Sequence, residues 1–237
     1  MSINNRVAII TGAGRGIGRA TAQLFAREGA RVVLFSRTQA QVEETAAAIR
    51  REGGQAIAVV GDVSQEDDVQ RLFEQASNTY GQVDILVNCA GIVAVRPFVD
   101  MDATTWDAVI AVNLRGTFLC CREAFSLMIV QQHGVIINLS SLSGVKGVEK
   151  FAGLSAYNVS KAGVASLTEI LAVEGKPYNI RVCTVSPGAV DTEMLRQAAP
   201  HLKAGMTPTD IAEILLFLAD DSGRKLNGTN LEIFSNA

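Results

Sequence analysis

Tyr157 and Lys161 lie four residues apart in Ser155-Ala-Tyr-Asn-Val-Ser-Lys161. On a helix that spacing sets a phenol and an ammonium on one face. A free phenol, with a pKa of about 10, exchanges protons poorly near neutrality, and a neighbouring ammonium favours the phenolate by roughly 1–3 units. Such a pair is suited to moving a proton on and off an oxygen. A second group suits an anion. Thr11-Gly-Ala-Gly-Arg-Gly-Ile-Gly18 follows an apolar run and opens a helical pattern. Gly12, Gly16 and Gly18 let the backbone turn sharply and come close to a pyrophosphate, and the helix start that holds Arg15 and Ile17 offers N–H groups and a positive dipole end. The G-x-G-x-x-G fingerprint is absent, because Ile17 and Arg19 stand where its last glycine would fall. The spacing is T-G-x-x-x-G-x-G instead. A phenol, an ammonium and a dinucleotide in one site are the equipment of hydride transfer.

The second apolar run ends in Phe35-Ser36-Arg37, roughly 20 residues beyond the turn, where an acid would select NAD through its ribose hydroxyls. No acid stands there. Arg37 can pair with a 2′-phosphate, and Arg15 can approach it from the other side, since a guanidinium binds phosphate oxygens in pairs. NADP(H) is the expected cofactor. Asp62, followed by Val63, ends the third run. Its carboxylate could accept the adenine amino hydrogen or cap the next helix.

These residues need a frame to bring them together. Nearly continuous apolar runs at Val7–Thr11, Arg31–Ser36, Ala56–Val60, Val83–Asn88, Val135–Ser140, Ile180–Val185 and Asn230–Phe234 read as parallel strands buried on both faces. Helical patterns at Gly16–Glu28, Gln39–Glu52, Glu66–Tyr80, Thr104–Gln131, Ala156–Glu174 and Pro208–Ala219 separate them. Ser64 before Gln65-Glu66-Asp67 and Pro208 after Thr207 mark helix starts. The fold class is α/β: a doubly wound, parallel, seven-stranded sheet of Rossmann type, ordered 3-2-1-4-5-6-7, with helices on both faces and one domain over 1–237. Ligands then bind beyond the carboxyl ends of the strands, which is where the chemistry-bearing residues fall.

Composition narrows the classes. At 48% hydrophobic the chain can cover both sheet faces, and a net charge of −3 gives no basic field for nucleic acid. No apolar run approaches the ~18 residues of a membrane span. Apolar strand pattern begins at Arg6, leaving no room for a leader peptide. Cys89, Cys120, Cys121 and Cys183 lack C-x-x-C spacing and read as reduced, buried thiols of a cytoplasmic protein. His133 and His201 are isolated and read as surface residues, so no metal is expected.

Thr11–Gly18, Asp62-Val63, Asn88-Cys-Ala-Gly91, Asn113, Ser141, Tyr157-x-x-x-Lys161 and Pro187-Gly188-x-Val190-x-Thr192 occur in an order and spacing that resembles the short-chain dehydrogenase/reductase family, in its compact one-domain branch. The resemblance covers nearly the whole chain. It implies that Lys161 also holds the nicotinamide ribose, that Tyr157 is the acid in reduction and the base in oxidation, and that Asn113 holds a water linking Lys161 to solvent. It adds Asn88, Ala90, Gly91, Pro187, Gly188, Val190 and Thr192 to the cofactor site. The Ser141 hydroxyl can steady the substrate oxygen as charge develops. The segment from Ser141 to Tyr157 is longer than the family's commonest spacing, and alignment on Ser-Ser-x-x-Gly selects Ser141 over Ser140 and Ser143. Cys89 replaces the second asparagine of the family's N-N-A-G, and the tail Leu231–Ala237 departs from the family's usual ending.

The expected reaction is interconversion of a ketone or aldehyde and an alcohol. The resemblance implies that the segment after Pro187-Gly188 folds over the substrate, so that Glu193 to Met206 is expected to form a short apolar lid with Met194, Leu195, Ala198, Ala199 and Leu202, and Val93, Val95 and Phe151 to add apolar wall. A 3-oxoacyl-acyl-carrier-protein reductase is the alternative, but an acidic carrier needs basic residues at the mouth; the resemblance implies that they would lie in Ile129–Gly134 and Gly175–Asn179, where only Lys176 is basic. A catalytically idle NADP-binding regulator would have no need of an intact Asn113, Ser141, Tyr157 and Lys161. The resemblance implies a homotetramer or homodimer built on the two long helices.

Overall fold

The computed structural model describes residues 3–234; residues 1–2 and 235–237, the ends of the expected 1–237 domain and of the unusual tail, lie outside the described residues. One parallel sheet runs through the molecule in the order β3-β2-β1-β4-β5-β6-β7, with helices on both sides. Its strands are β1 Val7–Thr11, β2 Arg31–Ser36, β3 Gln55–Val60, β4 Ile85–Asn88, β5 Gly134–Leu139, β6 Ile180–Pro187 and β7 Asn230–Ile233. The expected strand order holds. β4 starts two residues later than expected: Val83 donates its N–H to Gln131 Oε1 (3.1 Å) rather than to a neighbouring strand, and Asp84 joins the sheet only at its margin, through Val7 O and Val135 N (both 2.9 Å).

The strands form because β-branched and aromatic residues pack on a pleated surface. Alternation then divides the core between two faces. Ala8 and Ile10 of β1 meet α1 (Gly16–Arg27), α2 (Gln39–Arg51) and α8 (Pro208–Ala219), whose Phe25, Val42, Ile49, Ile211, Leu215 and Leu218 are buried there. Val7 and Ile9 meet α3 (Glu66–Tyr80) and α5 (Gly116–Gln131) through Leu72, Phe73, Leu119 and Met128. α6 (Ser155–Gly175) lies on the same side. Each fully buried side chain of this size contributes about 1.5–3 kcal/mol. α8 starts as expected: Thr207 and Asp210 cap each other's backbone, with Pro208 in the first turn. Ser64 does not cap α3, because its N–H and hydroxyl both bond Asp62 Oδ1.

The helix expected over 104–131 is instead α4 (Ala103–Ile110), one π turn (Ala111–Arg115) and α5. The widened turn places Asn113 where its side chain spans the β4 loop, accepting from Ile92 N (2.8 Å) and donating to Ile92 O (2.9 Å) and Ser160 Oγ (3.0 Å). π turns of this kind interrupt helices frequently at functional sites. A short helix, α7 (Glu193–Ala198), follows β6.

Candidate active site

Beyond the carboxyl ends of the strands lies one cavity of about 1320 Å³, larger than the ~300–1,000 Å³ of a pocket for one drug-sized ligand. The turn between β1 and α1 forms one end. Gly12 has φ +67°, and a Cβ there would sit 2.9 Å from the backbone of Ala90, so only glycine lets these two loops touch. Thr11 Oγ1 fixes the second loop by accepting from Ala90 N (3.1 Å). No side chain caps the N-terminus of α1. Its first N–H groups, with the dipole behind them, are open to an anion.

Gly12, Arg15, Gly16, Ile17, Gly18, Ser36, Arg37, Asp62, Val63, Ala90, Gly91, Pro187, Gly188, Val190 and Thr192 all line this cavity. Asn88 does not. It is buried beneath the wall, donating to Asn138 Oδ1 (2.9 Å) between β4 and β5. Asp62 serves in part as a local cap: Oδ1 accepts from Ser64, while Oδ2 stays within 3.4 Å of Arg37. Its other expected partner, adenine, would have to share that second oxygen.

The other end of the cavity is built by β5, the loop after it, and α6. Ser141, Tyr157 and Lys161 meet there. A side chain on Gly144 would strike the α6 backbone at Ala162 N (2.6 Å), so glycine allows the Ser141 loop to lie against the helix that carries Tyr157. Ser140 braces the junction from beneath, donating to Lys161 O (2.7 Å). Ser143 donates its N–H to Ser141 Oγ (3.1 Å). Of the three serines, Ser141 is the one hydrogen-bonded with Tyr157. Lys150, which the sequence pattern did not single out, gathers the carbonyls of Leu142 (3.4 Å), Ser143 (2.8 Å) and Val145 on its ammonium and so stiffens the same loop.

Lys161 is buried and donates to Leu139 O (2.7 Å), with its nitrogen 5.8 Å from the centre of the Tyr157 ring. Burial lowers its pKa to about 8, with the Cys89 thiol opposing the shift. Burial raises the Tyr157 phenol above its ordinary value, and the hydrogen bond with Ser141 acts the other way. This reverses the direction expected from an ammonium beside a phenol. The Lys161 nitrogen is committed to the Leu139 carbonyl and is itself desolvated, so loss of water dominates at the phenol. Cys89 lines the cavity, and burial pushes its thiol up to about 12, far from a reactive thiolate.

Asn113 lies behind the wall, not on it. An ideal Cβ on Gly91 would be 3.4 Å from Asn113 Oδ1 and 3.6 Å from Lys161 Nζ, so both polar groups lie close to Gly91. Val93, Val95, Phe151, Met194, Leu195, Ala198, Ala199 and Leu202 supply the expected apolar wall. The lid also brings Glu193, His201 and Lys203 to the cavity. Glu193 pairs with Arg15, a contact across 178 residues of chain that no local pattern could reveal.

The residues present fit a nicotinamide dinucleotide: an uncapped helix N-terminus and glycine cradle at one end, cationic Arg37 beside the second strand, and Lys161 with Tyr157 at the other. Among the described residues, no helix is long and apolar enough to cross a membrane.

The family model for short chain dehydrogenases matches residues 6–203. The chain is 36% identical to (2S)-[(R)-hydroxy(phenyl)methyl]succinyl-CoA dehydrogenase subunit BbsD of Thauera aromatica, over 98% of this chain and 96% of that one. It is 35% identical to a 3-oxoacyl-[acyl-carrier-protein] reductase of Thermotoga maritima, over 96% of both. A solved structure described as an NAD(P)-dependent gluconate 5-dehydrogenase of Beutenbergia cavernae, with NADP bound at low occupancy, superposes with a TM-score of 0.90 at 32% identity, over 98% of this chain and 96% of that one.

Proposed function

The chain belongs to the short-chain dehydrogenase family of oxidoreductases, and from that premise we propose that it interconverts a ketone or aldehyde and an alcohol with NADP(H), using Tyr157 as general acid and base. The observation that carries this reading is the meeting of Ser141, Tyr157 and Lys161 at one end of a cavity whose other end is an open helix N-terminus. When bound, the cofactor supplies or takes up the hydride.

In reduction, the carbonyl oxygen sits between the Ser141 hydroxyl and the Tyr157 phenol and accepts a hydrogen bond from each. As negative charge gathers on that oxygen, the phenol gives up its proton and Ser141 stabilises the remainder. A phenol kept protonated by burial is in the right state to act as this acid near neutrality. In oxidation the phenolate takes the alcohol proton, so that direction gains with rising pH. Lys161 stabilises the phenolate and holds the nicotinamide ribose. Asn113, locked on the π turn, holds a water that connects Lys161 to solvent. Gly12, Gly16, Gly18 and the start of α1 hold the pyrophosphate, and Arg37, with Arg15, holds the 2′-phosphate. The NADP-bearing relative supports this assignment.

Ile129–Gly134 and Gly175–Asn179, expected at the mouth, instead lead into β5 and β6 at the amino edge and do not line the cavity, so their scarcity of basic residues does not bear on an acidic carrier. The apolar lid and walls are what suit small, free carbonyl compounds. A carrier-linked 3-oxoacyl substrate is the second reading, favoured by the Thermotoga relative and by Lys203 and His201 on the lid. The discriminating experiment is a panel of free ketones, aldehydes and alcohols and a carrier-linked 3-oxoacyl substrate, with NADPH or NADP+ followed by absorbance. Free carbonyls should give the higher kcat/KM. A carrier-linked substrate preferred by orders of magnitude would install the second reading, and no turnover with any compound would favour an idle NADP-binding protein.

A homotetramer is proposed through α5 and α6. Phe118, Ile170 and Val173 stand 44%, 51% and 68% exposed there, beside a shallow groove that includes Phe125 and Leu171. A monomer mass by light scattering at micromolar concentration would refute it. The protein is proposed to work in the cytoplasm.

A further inference from the structure

We infer that Glu193 is a cofactor-selecting residue: by holding Arg15 it ties the lid to the phosphate turn, and the 2′-phosphate must displace it. The inference rests on the NADP(H) reading and adds a competitor inside it.

The lid is pinned at its root. Val190 bridges to Met206, Asp191 N donates to Met206 O (2.8 Å), and Gly205 N donates to Ala189 O (3.3 Å). Between those fixed ends the chain forms α7, capped by Thr192 Oγ1, which accepts from Leu195 N (3.2 Å). The other side-chain pairs of this segment are internal: Arg196 with Asp191, and Gln197 Nε2 with Glu193 Oε1 (2.9 Å). Among the described residues, Arg15–Glu193 is the one ion pair that joins α7 to an element outside the lid. The root of the lid already touches the same turn: an ideal Cβ on Gly16 would be 3.5 Å from the Thr192 methyl.

The two arginines proposed for the 2′-phosphate therefore differ in availability. Arg37 meets Asp62 at 3.4 Å through one nitrogen, a loose contact that leaves its other N–H groups open. Arg15 is engaged by Glu193, whose second oxygen is taken by Gln197. A guanidinium cannot give its best pair of donors to two anions at once. A 2′-phosphate therefore draws Arg15 away from Glu193, and a ligand without that phosphate leaves the tie in place. By reciprocity, whatever holds the lid closed through Glu193 weakens the 2′-phosphate site by the same factor. The lid and the choice between NADP(H) and NAD(H) are thus coupled.

The test uses adenosine 2′,5′-bisphosphate and 5′-AMP, which differ in the 2′-phosphate and carry no nicotinamide. Their dissociation constants are measured calorimetrically for the parent and Glu193→Gln, which keeps the size of the side chain and its contact with Gln197. Removing an exposed competitor should tighten the bisphosphate about 3- to 5-fold and leave 5′-AMP unchanged. Arg196 and Lys203 give trypsin two sites in the lid. In the parent the bisphosphate should speed cleavage there and 5′-AMP should not, and in Glu193→Gln cleavage should be equally fast with either. Equal shifts for both ligands, no shift in affinity, or parent cleavage indifferent to the bisphosphate overturns the inference. If the parent binds the bisphosphate no better than 5′-AMP, the NADP(H) reading falls as well; if it prefers the bisphosphate but Glu193→Gln changes nothing, the coupling alone is wrong.

Discussion

The two edges of the sheet hold polar residues in opposite conditions. At the amino edge Asp84, Gln131 and Arg181 each face partners within the fold. Asp84, almost fully buried, accepts from Val7 N (2.7 Å) and Gln82 Nε2 (2.8 Å) and meets His133 Nε2 (2.9 Å). Gln131 spans both backbone groups of Val83, and Arg181 gathers the carbonyls of Leu218 (2.8 Å) and Gly223 (3.0 Å). At the carboxyl edge, α1 begins without a side-chain cap, the Tyr157 phenol is pushed toward its neutral form, and Lys161 is stripped of water with one carbonyl for company. Buried polar groups that satisfy one another stabilise a fold; desolvated groups with shifted pKa values are held ready for a ligand. Variants at the carboxyl edge should therefore cost chemistry and spare stability, and those at the amino edge the reverse.

Lys161→Met should show the largest separation. Turnover should fall by about 10³-fold or more and cofactor affinity should weaken, because in the proposed mechanism the ammonium serves both. Stability should not fall. The pKa of Lys161 is lowered from 10.5 to about 8 in the folded chain. Between those values the unfolded chain binds more protons, so this group makes the parent more stable as pH rises through that range and destabilises it below about 8. The cost near pH 7 is on the order of 3 kcal/mol. Thermal midpoints of parent and variant should thus differ most, in favour of the variant, at pH 7, and converge toward pH 10. A variant that melts well below the parent at pH 7 breaks the comparison.

Asp84→Ala should do the opposite. It leaves the Val7 N–H buried without its acceptor, at a cost of about 1–3 kcal/mol, and kcat/KM should stay within about 2-fold. Denaturant unfolding with parallel assays checks both halves. A loss of turnover with unchanged stability would mean that the amino edge communicates with the site. Arg37→Asp should give the smallest effect: NADPH binding weaker by about 10-fold through like charge beside the 2′-phosphate, with NADH binding and thermal midpoint unchanged. Equal weakening of both cofactors would remove Arg37 from the phosphate site.

Strand identity and order were legible because buried parallel strands leave continuous apolar runs, and the site residues follow those runs. What the sequence concealed depends on contacts between distant segments. Nothing in Ala111–Arg115 signals a π turn, since it forms to let Asn113 satisfy the Ile92 backbone. Asn88 was expected on the cofactor wall, yet its side chain turns into the sheet toward Asn138, a choice that depends on which strand lies beside it. His133 is exposed, as expected of a surface residue, but it also reaches Asp84 across 49 positions, which no local pattern signals. The acidity of Tyr157 also needed the fold, because burial and the orientation of Lys161 decide the sign of its shift.

The most direct test of the central claim is Tyr157→Phe, which removes the transferable proton and little else. Its turnover and its dissociation constant for NADPH should be measured on one preparation. The account predicts turnover reduced by about 10²–10⁴-fold, with NADPH affinity and thermal midpoint close to the parent's. Turnover near the parent's level would contradict it and place the acid elsewhere.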